Sequence, residues 1–190
     1  MIVLASASPR RSELLAQIGC AFIVETSAAE ECMDGEPQEI ACGNARKKTE
    51  ATARHRAERG EQPLPVLAAD TIVTLDGRIY GKPQDAEDAK AMLRTLAGRA
   101  HTVVTGLALL CEGKLYEKTV ATRVYFASMS EAEIDAYAAT GEPLDKAGGY
   151  AVQGRAAMYI ERIEGSYSNV VGLPLHALRE LAREAGVSLA

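Results

Sequence analysis

The sequence predicts an α/β fold, a mixed twisted sheet with flanking helices, arranged as two lobes around one cleft. Three observations lead there. Short apolar runs alternate with segments of helical period along the whole chain. The N-terminal "IVLA" (Ile2–Ala5) is apolar throughout, which suits a parallel strand covered on both faces. Two long β runs in the second half are joined by Glu112-Gly113, a hairpin signal. No repeat, low-complexity stretch or clear linker divides the 190 residues, so residues 1–190 read as a single domain.

The elements follow in order. After Ile2–Ala5, Ser8 suits an N-cap and Pro9 the first helical position. Leu14, Leu15 and Ile18 share one face of that helix, and Gly19 stops it. "AFIVET" (Ala21–Thr26) reads as a second strand, followed by a polar loop with Glu30, Glu31, Asp34 and Glu36. The Ala-rich, charged segment from Pro37 to about Glu58 reads as a long helix. Pro63–Leu75 is a strand that turns at Asp76-Gly77 into "RIY". Asp85 caps a helix that buries Leu93 and Leu96 and closes at Gly98. His101–Cys111 and Lys114–Phe126 form the long hairpin. Ser130 and Glu133 make a capping box for a helix that stops near Gly141. Ala156–Ile163 reads as a strand, and a terminal helix runs from Pro174 to Gly186.

Composition excludes several functions. A net charge of −5, two Phe and no Trp argue against nucleic-acid binding through phosphates and stacked bases. No apolar run approaches the roughly 20 residues of a membrane span. No basic segment precedes "MIVLAS", so a signal peptide is not expected. Cys20, Cys32, Cys42 and Cys111 form no C-x-x-C pair and read as reduced thiols of a cytoplasmic protein. The P-loop, the G-x-G-x-x-G fingerprint, G-x-S-x-G and H-E-x-x-H are all absent. His55, His101 and His176 read as surface or core residues.

Five features remain. Arg10 and Arg11 fall in the first turn of a helix, where the dipole makes each cation cost about 0.3–1 kcal/mol. They are either solvated, partly offset by Glu13, or they await an anion at the helix N-terminus. Asp70 interrupts the apolar strand "LAADTIV", and a buried carboxylate needs a partner or a function. Lys48 ends the run Arg46-Lys47-Lys48, and Lys82 follows the hairpin that opens after Asp70. Either lysine could be a solvated surface charge. Glu30 and Glu31 lie in a loop, solvated or, with Asp70, available to a divalent ion. "GEPLDKAGGYAVQG" (Gly141–Gly154) has no regular period and carries Asp145, Lys146 and Gln153 among its glycines.

These residues resemble the Maf family of nucleoside triphosphate pyrophosphatases along essentially the whole chain. The segments that carry the resemblance are "SASPRRSELL", "AADTIV", "GKPQDAEDAKAML", "LAGRAHTVVTG", "GEPLDKAGGYAVQG" and "VVGLPL". It implies a homodimer of chains with a deep cleft, a fold akin to inosine triphosphatase, and metal-dependent hydrolysis of a triphosphate to monophosphate and pyrophosphate. Within the family the chain is similar to the branch acting on dTTP and UTP, to which Arg10, Thr71 and Gln153 correspond. By the same resemblance Asp70 is the proton acceptor, and Ser8, Arg11, Glu31, Lys48 and Lys82 line the phosphate and metal site. Lys47 and Glu30 stand as alternatives to Lys48 and Glu31. A free Asp, pKa about 3.9, is a poor base for water, pKa about 15.7. That gap points to Mg²⁺ or Mn²⁺, with Glu31 and Asp70 as oxygen ligands. Modified pyrimidine nucleotides fit the same reading. The alternatives are 7-methylguanosine triphosphate, the sister branch's substrate, and a nucleotide-binding regulator of cell division without turnover.

Overall fold

A computed structural model describes residues 1–189. The element order is β1 (Ile2–Leu4), α1 (Pro9–Gln17), β2 (Phe22–Val24), α2 (Pro37–Glu58), β3 (Val66–Leu75) and β4 (Arg78–Tyr80). Then come α3 (Ala86–Leu96), β5 (Ala100–Cys111), β6 (Lys114–Phe126), α4 (Glu131–Ala138), β7 (Ile160–Glu164), α5 (Tyr167–Val171) and α6 (Leu175–Glu184). The strands form a mixed seven-stranded sheet in the order β2-β1-β3-β5-β6-β7, with β4 added to β3. β1 lies parallel to β2 and β3, in the register Val3↔Val66 and Leu4↔Leu67. β4 and β7 pair antiparallel with β3 and β6.

Two compact units make up the chain. The first holds Met1–Asp70, Thr105–Val120 and the chain from Gly172. Val3, Ala5, Val66 and Ala68 pack together there, backed by Ala53 of α2 and Leu64. α2 buries Ile40, Ala41, Asn44, Ala45, Thr49, Thr52 and Arg56, a stripe that includes polar side chains. The second unit holds Thr71–Val104 and Ala121–Val171. Its core joins Leu93 and Leu96 of α3, Ile134 and Tyr137 of α4, and Phe126, Tyr150 and Tyr159. β3, β5 and β6 run from one unit into the other.

Both hairpin turns form as expected. Asp76 and Gly77 take φ of 52° and 76°, the left-handed pair that a two-residue turn demands. Asp85 accepts from the Asp88 N–H at 2.8 Å, and the Ser130–Glu133 capping box is complete.

Three expectations need correction, and one helix adds to them. Ser8 stands at the N-cap of α1, yet its side chain caps nothing; its N–H donates to Ser6 Oγ at 3.2 Å. The strand expected from Pro63 begins at Val66, although Pro65 already accepts from the Val3 N–H at 2.8 Å. The strand expected over Ala156–Ile163 begins at Ile160, because β6 offers partners only from Arg123 to Phe126; Arg155–Tyr159 winds as a 3-10 turn instead. α5 was not anticipated: five residues are too few to show a helical period, and Ser166 Oγ holds the Asn169 N–H there at 3.2 Å. No helix among the described residues is long and apolar enough to cross a membrane, and the four cysteines are free.

Candidate active site

The first unit gathers the charged residues. β1 and β3 are parallel, so the chain leaving β1 through Ser6 and Ser8 sits at the end of the pair toward which β3 runs to Asp70. Asp70 is buried, 6% exposed. Lys48 of α2 donates from Nζ to Asp70 Oδ1 at 2.7 Å and to Glu31 Oε1 at 2.6 Å. A single ammonium thus joins the two carboxylates. Lys47, one residue back, is exposed and lines a small cavity with Cys32, Asp34 and Glu39. Lys48 and Glu31 are therefore the pair that meets Asp70.

Arg11 is also buried. Its Nε donates to the Gly172 carbonyl at 2.8 Å and its Nη1 to Ser6 Oγ at 2.9 Å. Burial lowers the guanidinium from its ordinary value, while Asp70, and more weakly Glu31, pull it back up. Arg10 is half-buried and opposes it. Arg11 and Lys48 cancel Asp70 and Glu31 in formal charge.

Sequence reasoning missed Asn44. It is 1% exposed, and its Nδ2 donates to Asp70 Oδ2 at 2.9 Å and to the Cys32 carbonyl at 2.9 Å. Its Oδ1 accepts from the Cys32 N–H at 2.8 Å. The signal was there: a poor helix former in mid-helix, four residues before Lys48 and so on the same face.

The second unit carries the other candidates. Thr71 is half-buried, next after Asp70 on β3. Val73 pairs with Tyr80, so the hairpin returns the chain toward Thr71 as it reaches the exposed Lys82. Gln153 is exposed, in a turn closed by the Gly154 N–H to the Ala151 carbonyl at 3.1 Å. Glu142 braces this turn, accepting from Tyr137 Oη at 2.8 Å and from the Arg155 N–H at 3.1 Å. Lys146 bonds to Asp145 and, at 2.8 Å, to the Glu142 carbonyl, so these two belong to the loop's own scaffold. His101 is buried with Nε2 at 2.7 Å from Tyr150 Oη, a core histidine as expected.

A family model described as Maf-like protein matches residues 1–185. The chain belongs to the Maf family. Relatives named dTTP/UTP pyrophosphatase match this Maf-like chain over nearly its whole length. That of Gloeobacter violaceus is 50% identical, covering 96% of this chain and 95% of its own. That of Chromobacterium violaceum is 47% identical over 99% and 96%. That of Thermococcus kodakarensis is 44% identical over 95% of each. At a TM-score of 0.47 and 16% identity, with 96% of this chain and 98% of its own covered, the Ham1 protein of Staphylococcus aureus is too distant to add to the Maf assignment.

Proposed function

We propose that this Maf-like chain hydrolyses dTTP and UTP, and modified pyrimidine nucleotides of the same shape, to the monophosphate and pyrophosphate. The observation that carries the reading is Asp70, a buried carboxylate held between Lys48 and Asn44 with the charge of Arg11 close by. The names of its whole-length relatives support the substrate. Asp70 accepts a proton from water as the water oxygen bonds to the α-phosphorus. The bond to the bridging oxygen breaks, and pyrophosphate leaves with the electron pair. Lys48, Arg11 and Lys82 bind the phosphates and stabilise the charge that grows on the leaving group. Ser8, at the N-cap of α1, adds its hydroxyl to the phosphate-binding groups. Arg10, Thr71 and Gln153 act on the base, Gln153 offering both a donor and an acceptor to a uracil or thymine edge.

The donor set fits a divalent ion. Asp70 and Glu31 already converge on one cation, the Lys48 ammonium. Among the described residues no group of three His, Cys, Asp or Glu side chains could hold a metal. Two hard oxygen donors completed by phosphate oxygens suit Mg²⁺ or Mn²⁺. When bound, such an ion neutralises phosphate charge and makes water more acidic.

The resemblance also supports a cytoplasmic homodimer with no nucleic-acid or membrane partner, a state that analytical ultracentrifugation tests. Neither the site nor the relatives favour 7-methylguanosine triphosphate or a regulator without turnover. The deciding experiment is a panel of nucleoside triphosphates with Mg²⁺ or Mn²⁺, assayed for pyrophosphate against single phosphate. Pyrophosphate from UTP and dTTP is expected, and its loss in Asp70→Asn. Release of single phosphate overturns the reading.

A further inference from the structure

We infer that Asn44 is a positioning residue: it holds Asp70 by Oδ2, leaves Oδ1 as the working oxygen, and ties the Glu31 loop to the same carboxylate. The inference rests on the role given to Asp70 above. The three partners of Asn44 fix which end of its amide is oxygen, since the Cys32 N–H needs an acceptor and Asp70 and the Cys32 carbonyl need donors. Both amide hydrogens and the carbonyl oxygen are thereby engaged at 2.8–2.9 Å in a side chain 1% exposed.

The two partners of Asp70 differ in how easily they leave. Lys48 reaches Oδ1 on a long flexible stem and is shared with Glu31. An incoming phosphate competes for that ammonium. Asn44 has a short side chain on a buried helix face and no mobile end to give up. When Lys48 turns to the phosphate, Oδ1 becomes available while Oδ2 stays fixed. Cys32 follows Glu31 in the chain, so the same amide also sets how far the second carboxylate stands from the first.

The test uses the full chain with Asn44→Leu and Asn44→Asp beside the parent. Asn44→Leu keeps the approximate shape and removes all three bonds. Asn44→Asp keeps the acceptor for Cys32 and removes both donors. kcat and KM for UTP with Mg²⁺ are measured, and alkylation of Cys32 by iodoacetamide is followed by peptide mass. Both variants are expected to lose roughly ten- to a hundredfold in kcat with KM within about twofold. Cys32, half-buried in the parent, is expected to react several times faster in Asn44→Leu than in Asn44→Asp. Parent-like kcat in a folded Asn44→Leu overturns the inference, as does a loss carried by KM alone. If Asn44→Leu does not fold, Asn44→Asp decides by the same kinetic criteria. If the parent releases no pyrophosphate from any triphosphate, the functional reading fails instead. Cys32 then decides the anchoring: a faster rate in Asn44→Leu upholds it, and an unchanged rate overturns it.

Discussion

Gly106→Ala is a one-methyl change whose effect follows from the structure. Gly106 lies on β5, against the backbone of α2. A Cβ built there would sit 2.4 Å from the carbonyl carbon and oxygen of Ala41 and from the nitrogen of Cys42. Ordinary contact starts near 3.4 Å, so α2 must retreat by about 1 Å, and backbone cannot rotate away as a side chain can. The same helix is tied down by Thr49 Oγ1 to the Ala108 carbonyl at 3.1 Å, and it carries Asn44 and Lys48 to Asp70 at 2.9 and 2.7 Å. A shift of that size takes these bonds toward or past the ~3.2 Å limit of a good hydrogen bond. Overpacking costs about 1–3 kcal/mol, and weakening a buried charge-assisted bond adds up to about 1.5–3. The expected destabilisation is about 2–5 kcal/mol, read by urea unfolding, with turnover falling alongside. Gly43→Ala is the control on the same helix. Nothing lies within 4 Å of its built Cβ, so it should gain up to about 1 kcal/mol from helix propensity. Gly106→Ala within 0.5 kcal/mol of the parent (about the scatter of surface changes) and with parent-like turnover would refute the reasoning.

Arg11→Ala is expected to lose about 1–3 kcal/mol of stability as well as turnover, because it strips donors from the buried Gly172 carbonyl and Ser6 Oγ; increased stability to urea would show the cost of a cation in the first turn of α1 to be the larger effect. His101, buried in the core, is pushed down by that burial to about 4 from 6.5. Between those values the unfolded chain binds the proton and the folded chain does not, so stability falls as pH drops from about 6.5 to about 4. The loss reaches about 3 kcal/mol by the low end. His101→Phe should flatten that part of a stability-against-pH curve, and an unaltered slope would exonerate His101. Gln153→Glu should lower activity on UTP and dTTP roughly ten- to a hundredfold relative to guanine nucleotides, since a carboxylate only accepts. Equal losses across the panel would remove Gln153 from base reading.

Whatever depends on neighbours a few residues apart was determined by the sequence alone. The capping box of Ser130 and Glu133, the Asp76-Gly77 and Glu112-Gly113 turns, and the stop of α1 near Gly19 are such features. Asp70 was also legible, because a carboxylate inside an apolar strand violates the pattern around it. The resemblance left Lys47 and Lys48 as alternatives, because the Ala that usually follows the family's lysine is missing from "RKKTEA". Only the tertiary structure decided the rest. It turned Lys48 to Asp70, set Gly106 under α2, and began β7 at Ile160, where β6 supplies partners. It buried Arg11 on Gly172, 161 residues away in the chain. Such pairings come from how helices and strands pack, and burial then decides whether a charge is solvated or must be matched. No local pattern of residues carries that information.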